Sequence, residues 1–283
     1  MRMKPAIVLT LLLNTICFSI RAQDGSGAKS GVEKTYYPSG KLHTEIPYTN
    51  GKENGVSKLY YESGKLREEM PCTNNLRNGV GKEYYESGAL LREIPYSNGL
   101  KNGIEKEYYE SGKLKGAVTY SLGKKNGVDK VFAENGKLRG ICHYVNDKKT
   151  GLEKLYYPND SLDLEITYKY DKKNGVEKEF YDNGVLKSET PYKSGTIDGI
   201  EKNYYSSGSL KSEIPYVAGK INGVEREYYQ NGNLSHEFSC VNGLSNGLSK
   251  EYYESGIIMS ITTYTNGMVT KTIYYDKNGN EVK

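Results

Sequence analysis

The chain has no tryptophan, only four phenylalanines and only three histidines in 283 residues. It has four cysteines and no Cys-x-x-Cys pair. His43, His143 and His236 are far apart in sequence, so no imidazole or thiol set has the spacing of a metal site. An excess of one charge is also missing: 39 Lys and Arg stand against 35 Asp and Glu, a net charge of +4. That is too small to imply the field of a nucleic-acid binder. There is no Ser/His/Asp constellation and no phosphate loop. The carboxylates that stand out all recur at fixed places, whereas an active site breaks a pattern with something singular. No catalytic residue, metal or cofactor is expected, and the chain reads as a non-enzyme.

Long apolar runs are confined to the start. Met1-Arg2-Met3-Lys4 is a short basic stretch, and residues 6–20 are apolar except for Thr10, Asn14, Thr15 and Ser19. A membrane-crossing helix needs about 20 apolar residues, so residues 1–22 read as a secretory signal peptide. Cleavage after Ala22 would expose Gln23, although Ile20 fits the −3 position poorly. Lipidation at Cys17 stays open as an alternative, as does an uncleaved anchor. The expectation is an exported protein of the periplasm, cell surface or exterior, with residues 23–30 as a short linker.

What the chain has instead is 28 tyrosines and 32 glycines, well above the ordinary glycine share of ~7% and without a collagen period. Gly31, Gly55, Gly79, Gly103, Gly127, Gly151, Gly175, Gly199, Gly223 and Gly247 are each 24 residues apart. They open ten repeats over residues 31–268, followed by a truncated unit at 269–283. A fixed period decides the architecture before any propensity does.

With each glycine as position 1, position 2 is always Val, Ile or Leu. Position 6 is Tyr or Phe, position 12 is Leu or Ile, position 16 is mostly apolar, and position 18 is Tyr or Cys. These positions share one parity, so positions 2–7 and 11–18 read as two strands with a common apolar face. Positions 8–10, as in Glu110-Ser111-Gly112, fit a three-residue loop ending in a left-handed glycine. That loop would pair position 6 with 12 and position 2 with 16. A second, Asn/Gly/Lys-rich turn falls around positions 19–24. The expected fold is all-β: tandem antiparallel hairpins in an elongated, twisted single sheet or β-solenoid-like array.

The segment at residues 84–103, YYESGALLREIPYSNGLKNG, shows the pattern Y-Y-x-x-G-x-L-x-x-E-x-x-Y-x-x-G-x-x-x-G. It resembles the MORN repeat in its bacterial variant form, and the resemblance runs from residue 31 to about the last. It departs from the commoner MORN form in lacking Trp and a His-Gly pair. The resemblance implies antiparallel hairpins in elongated sheets, and roles in membrane association, dimerisation and protein scaffolding.

Two ladders are candidate surfaces. Position 4 is basic in all ten repeats: Lys34, Lys58, Lys82, Lys106, Lys130, Lys154, Lys178, Lys202, Arg226 and Lys250. It is either a stripe facing anions or a membrane, or a row whose stems cover apolar surface while the ammonium groups meet nearby acids at positions 3 and 15. Position 7 is Tyr37, Tyr61, Tyr85, Tyr109, Tyr157, Tyr181, Tyr205, Tyr229 and Tyr253, with Ala133 the exception. If open, that row is a binding face; otherwise it packs across strands. Cys72 and Cys240 (position 18) and Cys142 (position 16) replace core residues. Cys72 and Cys240 are seven repeats apart, roughly 67 Å at ~4.8 Å per strand, too far for a disulfide. All three read as inert, buried thiols. Residues 127–174 diverge most, at Ala133, Cys142, Asp160 and Leu164, and mark a bend or a partner-specific patch. The functional expectation is an exported, non-catalytic repeat scaffold that binds an unidentified protein across an extended β face, as a monomer or homodimer. The alternative is anionic lipid or cell-wall polysaccharide bound through the Lys and Tyr ladders. No nucleic acid is expected.

Overall fold

A computed structural model describes residues 28–282 of the chain. The expected signal segment, Cys17 and most of the linker lie outside the described residues. Those described form strands and no helix. They divide into two compact units, residues 28–115 with Tyr120–Gly123, and Gly116–Thr119 with residues 124–282. Each unit is an open antiparallel sheet built from the same hairpin, repeated every 24 residues.

The second repeat shows the plan. Gly55–Tyr60 (β1) runs into Leu66–Thr73 (β2), and a two-residue strand, Leu76–Arg77 (β3), folds back onto the end of β2. The loop between β1 and β2 is the expected one. Tyr61 N–H donates to Lys65 O, Gly64 N–H donates to Tyr61 O, and Gly64 has φ 90°, left-handed backbone that glycine adopts without cost. Between β2 and β3, Asn74 and Asn75 have φ 51° and 69°. Two central residues at positive φ define a type I′ turn, whose twist matches the strands it joins. The Asn/Gly/Lys-rich turn expected at positions 19–24 thus contains a strand, β3, that the sequence pattern does not separate. The observed strands cover positions 1–6 and 12–19, not 2–7 and 11–18.

The register differs from expectation in one consequential way. Tyr60 pairs with Leu66, as position 6 should with position 12, but Val56 pairs with Pro71 at position 17 instead of Met70 at position 16. A β-bulge at position 13 absorbs one residue between the Tyr60–Leu66 and Leu59–Glu68 pairs. An extra residue in a period-2 strand sends everything beyond it to the other face. The expected common apolar face is therefore split. Positions 3, 5, 14, 16 and 18 share one face; positions 2, 4, 15 and 17 share the other.

The exposures follow. On the first face Met70, Ile94 and Ile166 (position 16) are buried, Ile166 being 1% exposed, as are Cys72 and Cys240 at position 18. On the second face Val56, Val80 and Ile200 are about half exposed, at 47%, 49% and 53%. Side chains are covered mainly by neighbours in the same face, because each strand packs against the strands beside it. Gly81, at position 3, leaves room for Met70: a Cβ there would lie 2.6 Å from the Met70 methyl.

Candidate functional site

The tyrosines at position 7 form the link between repeats. Tyr37 Oη donates to Tyr60 O at 2.6 Å, Tyr61 Oη to Tyr84 O at 2.7 Å and Tyr85 Oη to Tyr108 O at 2.8 Å. The same bond recurs from Tyr157 to Phe180, Tyr181 to Tyr204, Tyr205 to Tyr228, Tyr229 to Tyr252 and Tyr253 to Tyr275. Tyr109, like the others, is half-buried. The bulged position 13 covers the ring: His43 lies 4.4 Å from Tyr37 between centroids, and Arg67, Lys115 and Lys211 sit over Tyr61, Tyr109 and Tyr205 at 5.7–5.9 Å. The phenol ends of this row are thus held by backbone.

Where position 7 is Ala133, an arginine from position 13 bonds the next repeat instead, one residue beyond the carbonyl used elsewhere. Arg139 Nη1 donates to Tyr157 O at 2.5 Å, and Lys137 pairs with Asp160. Of the divergent residues in 127–174, Ala133 and Asp160 meet at this junction, through Arg139 and Lys137.

The basic ladder lies on the second face, matched to acids at position 15. Lys34 reaches Glu45 at 2.7 Å, Lys154 reaches Glu165 at 3.0 Å, and Lys58, Lys178 and Lys202 reach Glu69, Glu189 and Glu213 at 3.6–3.9 Å. Arg226 and Lys250 share Glu237. The fourth and fifth repeats carry Ala117 and Ile141 at position 15. Lys106 and Lys130 there are exposed, and neither they nor Lys82 form an ion pair among the described residues. The same carboxylates accept from the position-6 tyrosine of the next repeat, Tyr60 to Glu45 at 2.7 Å and Tyr108 to Glu93 at 2.9 Å. Burial and this bond push the Tyr60 and Tyr108 phenols up to about 12. Exposed ion pairs contribute about 0–1 kcal/mol each, so the ladder serves mainly to cancel charge.

A third ladder, on the first face, was not foreseen. Position 23 is Lys29, Arg77, Lys101, Lys125, Lys149 and Lys173 ahead of six of the repeats. Each cation sits over the position-18 tyrosine of the following repeat: Lys29 over Tyr48 at 3.5 Å, Lys101 over Tyr120 at 4.8 Å, Lys125 over Tyr144 at 4.8 Å, Lys149 over Tyr168 at 5.0 Å and Lys173 over Tyr192 at 4.7 Å. These lysines also pair with the position-3 acid, as Lys101 does with Glu105 at 2.5 Å and Lys125 with Asp129 at 3.1 Å. The basic residues at fixed spacing were the available signal, hidden inside what looked like a turn.

Cys72 and Cys240 are buried and Cys142 half-buried, all three as free thiols. Burial and the Glu53 carboxylate push the Cys72 thiol up to about 11. His143 bonds the Leu152 carbonyl at 3.1 Å, and His236 lies between Glu227 and Glu251 at 3.7 and 3.4 Å. Among the described residues no group of His, Cys, Asp and Glu side chains is placed to hold a metal. A cleft of about 470 Å³ at the hairpin tips is lined by Tyr157, Pro158, Asn159, Tyr181, Asp182 and Lys187.

The model of the family described as "MORN repeat variant" matches the chain ten times, at residues 29–50, 53–75, 77–98, 101–121, 125–146, 149–170, 173–194, 197–218, 221–239 and 245–266. The chain belongs to that family and is a tandem-repeat scaffold of antiparallel hairpins. No curated protein matches it. Among solved structures it is similar to "Crystal Structure of TcdB2-TccC3-Cdc42", at 11% identity and a TM-score of 0.16, over 90% of this chain and 19% of that one. It is also similar to the Photorhabdus luminescens Tc holotoxin pore with the TccC3 D651A mutation, at 11% identity and a TM-score of 0.17, over 87% of this chain and 18% of that one. The chain spans about a fifth of those structures' length, and likenesses this weak carry no argument about function.

Proposed function

We propose that the protein is an exported, non-catalytic scaffold that binds a protein partner through an extended face of its repeated sheet. The observation that carries this reading is the row of aliphatic side chains at position 2. In one unit Val32, Val56, Val80 and Ile104 are 47–53% exposed, and in the other Val176, Ile200, Val224 and Leu248 are 36–53% exposed. Prolines at position 17 pair beside several of them, as Pro71 does with Val56 and Pro215 with Ile200. A contiguous apolar strip on a surface is a common mark of a protein interface. Export is argued from residues 1–22 alone, by their basic start and short apolar run.

The test is capture of partners from envelope extract by the chain from residue 23 onward, against a variant with Val56, Val80, Val176 and Ile200 changed to Ser. A single protein retained by the native chain and lost by the variant supports the reading, and cell fractionation tests export. Binding to anionic liposomes or cell-wall polysaccharide instead, lost on changing Lys106 and Lys130, would favour the alternative through the ladders. The cancelled charge at position 4 counts against that alternative.

A further inference from the structure

The first face changes character within its own repeat. In five places the chain supplies a lysine ammonium that lies over a position-18 tyrosine and on the adjacent position-3 carboxylate. Ahead of the eighth and ninth repeats the lysine is replaced by Ile197 and Ile221. Ile197 occupies the same register as the lysines, paired with Tyr192, and Ile221 is likewise paired with Tyr216. The carboxylates remain. Glu201 meets only the Asn203 amide, at 3.2 Å, and Glu225 has no cation within ion-pairing distance among the described residues. In the ninth repeat Cys240 also stands where other repeats have Tyr, and Phe238 stands at position 16. A cavity of about 280 Å³ opens there, lined by Glu225, Glu227, His236 and Phe238.

We propose that the eighth and ninth repeats bind primary ammonium groups of a partner polypeptide, a lysine-bearing segment whose ammonium groups meet the carboxylates that the chain's own lysines meet elsewhere. The argument is charge complementarity read from the molecule's own equivalents. Glu201 lies beside Tyr216 as Glu177 lies beside Tyr192, but only Glu177 has its lysine. In the eighth repeat an ammonium gains the Glu201 carboxylate and the Tyr216 ring together; in the ninth, where Cys240 replaces the tyrosine, it gains Glu225 in the cavity that Phe238 lines. Burial, with Glu227 and Glu201 nearby, raises the Glu225 carboxyl, as expected for a charge that has lost its counterion. The proposal deepens the scaffold reading and rests on it, because it names the chemistry of the partner.

The test uses the whole chain and a blocked octalysine peptide, measured by calorimetry at about 0.15 M salt, with spermidine as a second probe for a small amine. Binding by the native chain should weaken at least tenfold in Ile197→Lys/Ile221→Lys, which refills the site from within. The fold tolerates lysine at that register in five other repeats, so circular dichroism should be unchanged. Glu201→Gln/Glu225→Gln should weaken binding similarly, and Lys173→Ile should add a site beside Glu177 and Tyr192. Tighter binding of octalysine than of spermidine supports a polypeptide ligand, and the reverse overturns that part. No binding by the native chain, or equal binding by the refilled variant, overturns the proposal. If a protein is captured from extract equally by native and refilled chains, this inference fails while the scaffold reading stands. If octalysine binds but no protein is captured, the scaffold reading fails and the ammonium site stands.

Discussion

The hydroxyl of Tyr181 donates to the main-chain carbonyl of Tyr204, 2.8 Å away and one repeat further along the chain. The bond joins a side chain of one hairpin to the backbone of the next, so it contributes to the interface between repeats and not to either hairpin alone. In a repeat array such interface contributions set how cooperatively the units fold.

Removing that hydroxyl isolates its share. Tyr181→Phe should lower unfolding stability by about 1 kcal/mol while keeping the ring and its packing. Tyr170→Phe is the control, since Tyr170 is an exposed turn residue at 57% exposure, and urea unfolding should not separate it from the native chain. Equal midpoints for the two variants would refute the interlock.

Position 1 is glycine for two reasons that substitution can separate. Gly199 has φ 128°, and a Cβ there would lie 2.9 Å from Pro191 Cγ. Gly175 has φ 116°, but its Cβ would be 3.8 Å from Thr167 Cβ. Backbone strain of about 1–3 kcal/mol applies to alanine at either site; the clash applies only at the first. Gly199→Ala should therefore destabilise more than Gly175→Ala, measured by thermal or urea unfolding.

Acid should weaken the position-15 contacts in a defined direction. The Lys34 ammonium and the Tyr60 hydroxyl donate to Glu45 and hold its carboxyl below the ordinary value. A group depressed on folding contributes stability that is fully present above its unfolded value of about 4.3. That contribution is lost as pH falls through the lower folded value. Glu45→Gln should lower stability at pH 7, where that contribution is fully present, and flatten the fall in stability below about pH 4.

The Cys72 thiol, raised to about 11, should react slowly in the folded chain. At pH 8 its thiolate fraction is about one in a thousand. Labelling with a disulfide reagent should be slow for the folded chain and rapid in denaturant. Fast labelling of Cys72 without unfolding would contradict its burial.

Much of this was legible in sequence because the repeat fixes local chemistry ten times over. Gly64 and its equivalents announced the three-residue loop, and the match of Lys at position 4 to Glu at position 15 was one of the two readings the composition left open. What was not legible came from one residue. The bulge at position 13 has no strong signature of its own, since His43, Arg67 and Lys115 are ordinary surface residues, yet it reverses the face of everything after it. Counting parity straight through placed Val56 with Met70, when the sheet sets them on opposite faces. Pro71 at position 17, recurring as proline in several repeats, was the available hint, because proline is a surface residue far more often than a core one. The tyrosine row at position 7 stayed open between a binding face and cross-strand packing for a different reason. A phenol can as well bond a carbonyl one repeat away as face a ligand, and sequence spacing does not show which carbonyl is near.

The hydroxyl-to-carbonyl bond between repeats also has a direction: the donor always belongs to the earlier repeat and the acceptor to the later. A chain is made from its amino end and tends to fold in that order. Each repeat that emerges thus finds a phenol already in position to receive its backbone, so the array can be laid down stepwise like courses of brick, each seated on the one before. Trimming from the two ends therefore strips different bonds: loss of a later repeat leaves a position-7 phenol without its carbonyl, whereas loss of an earlier one leaves a position-6 phenol without its carboxylate.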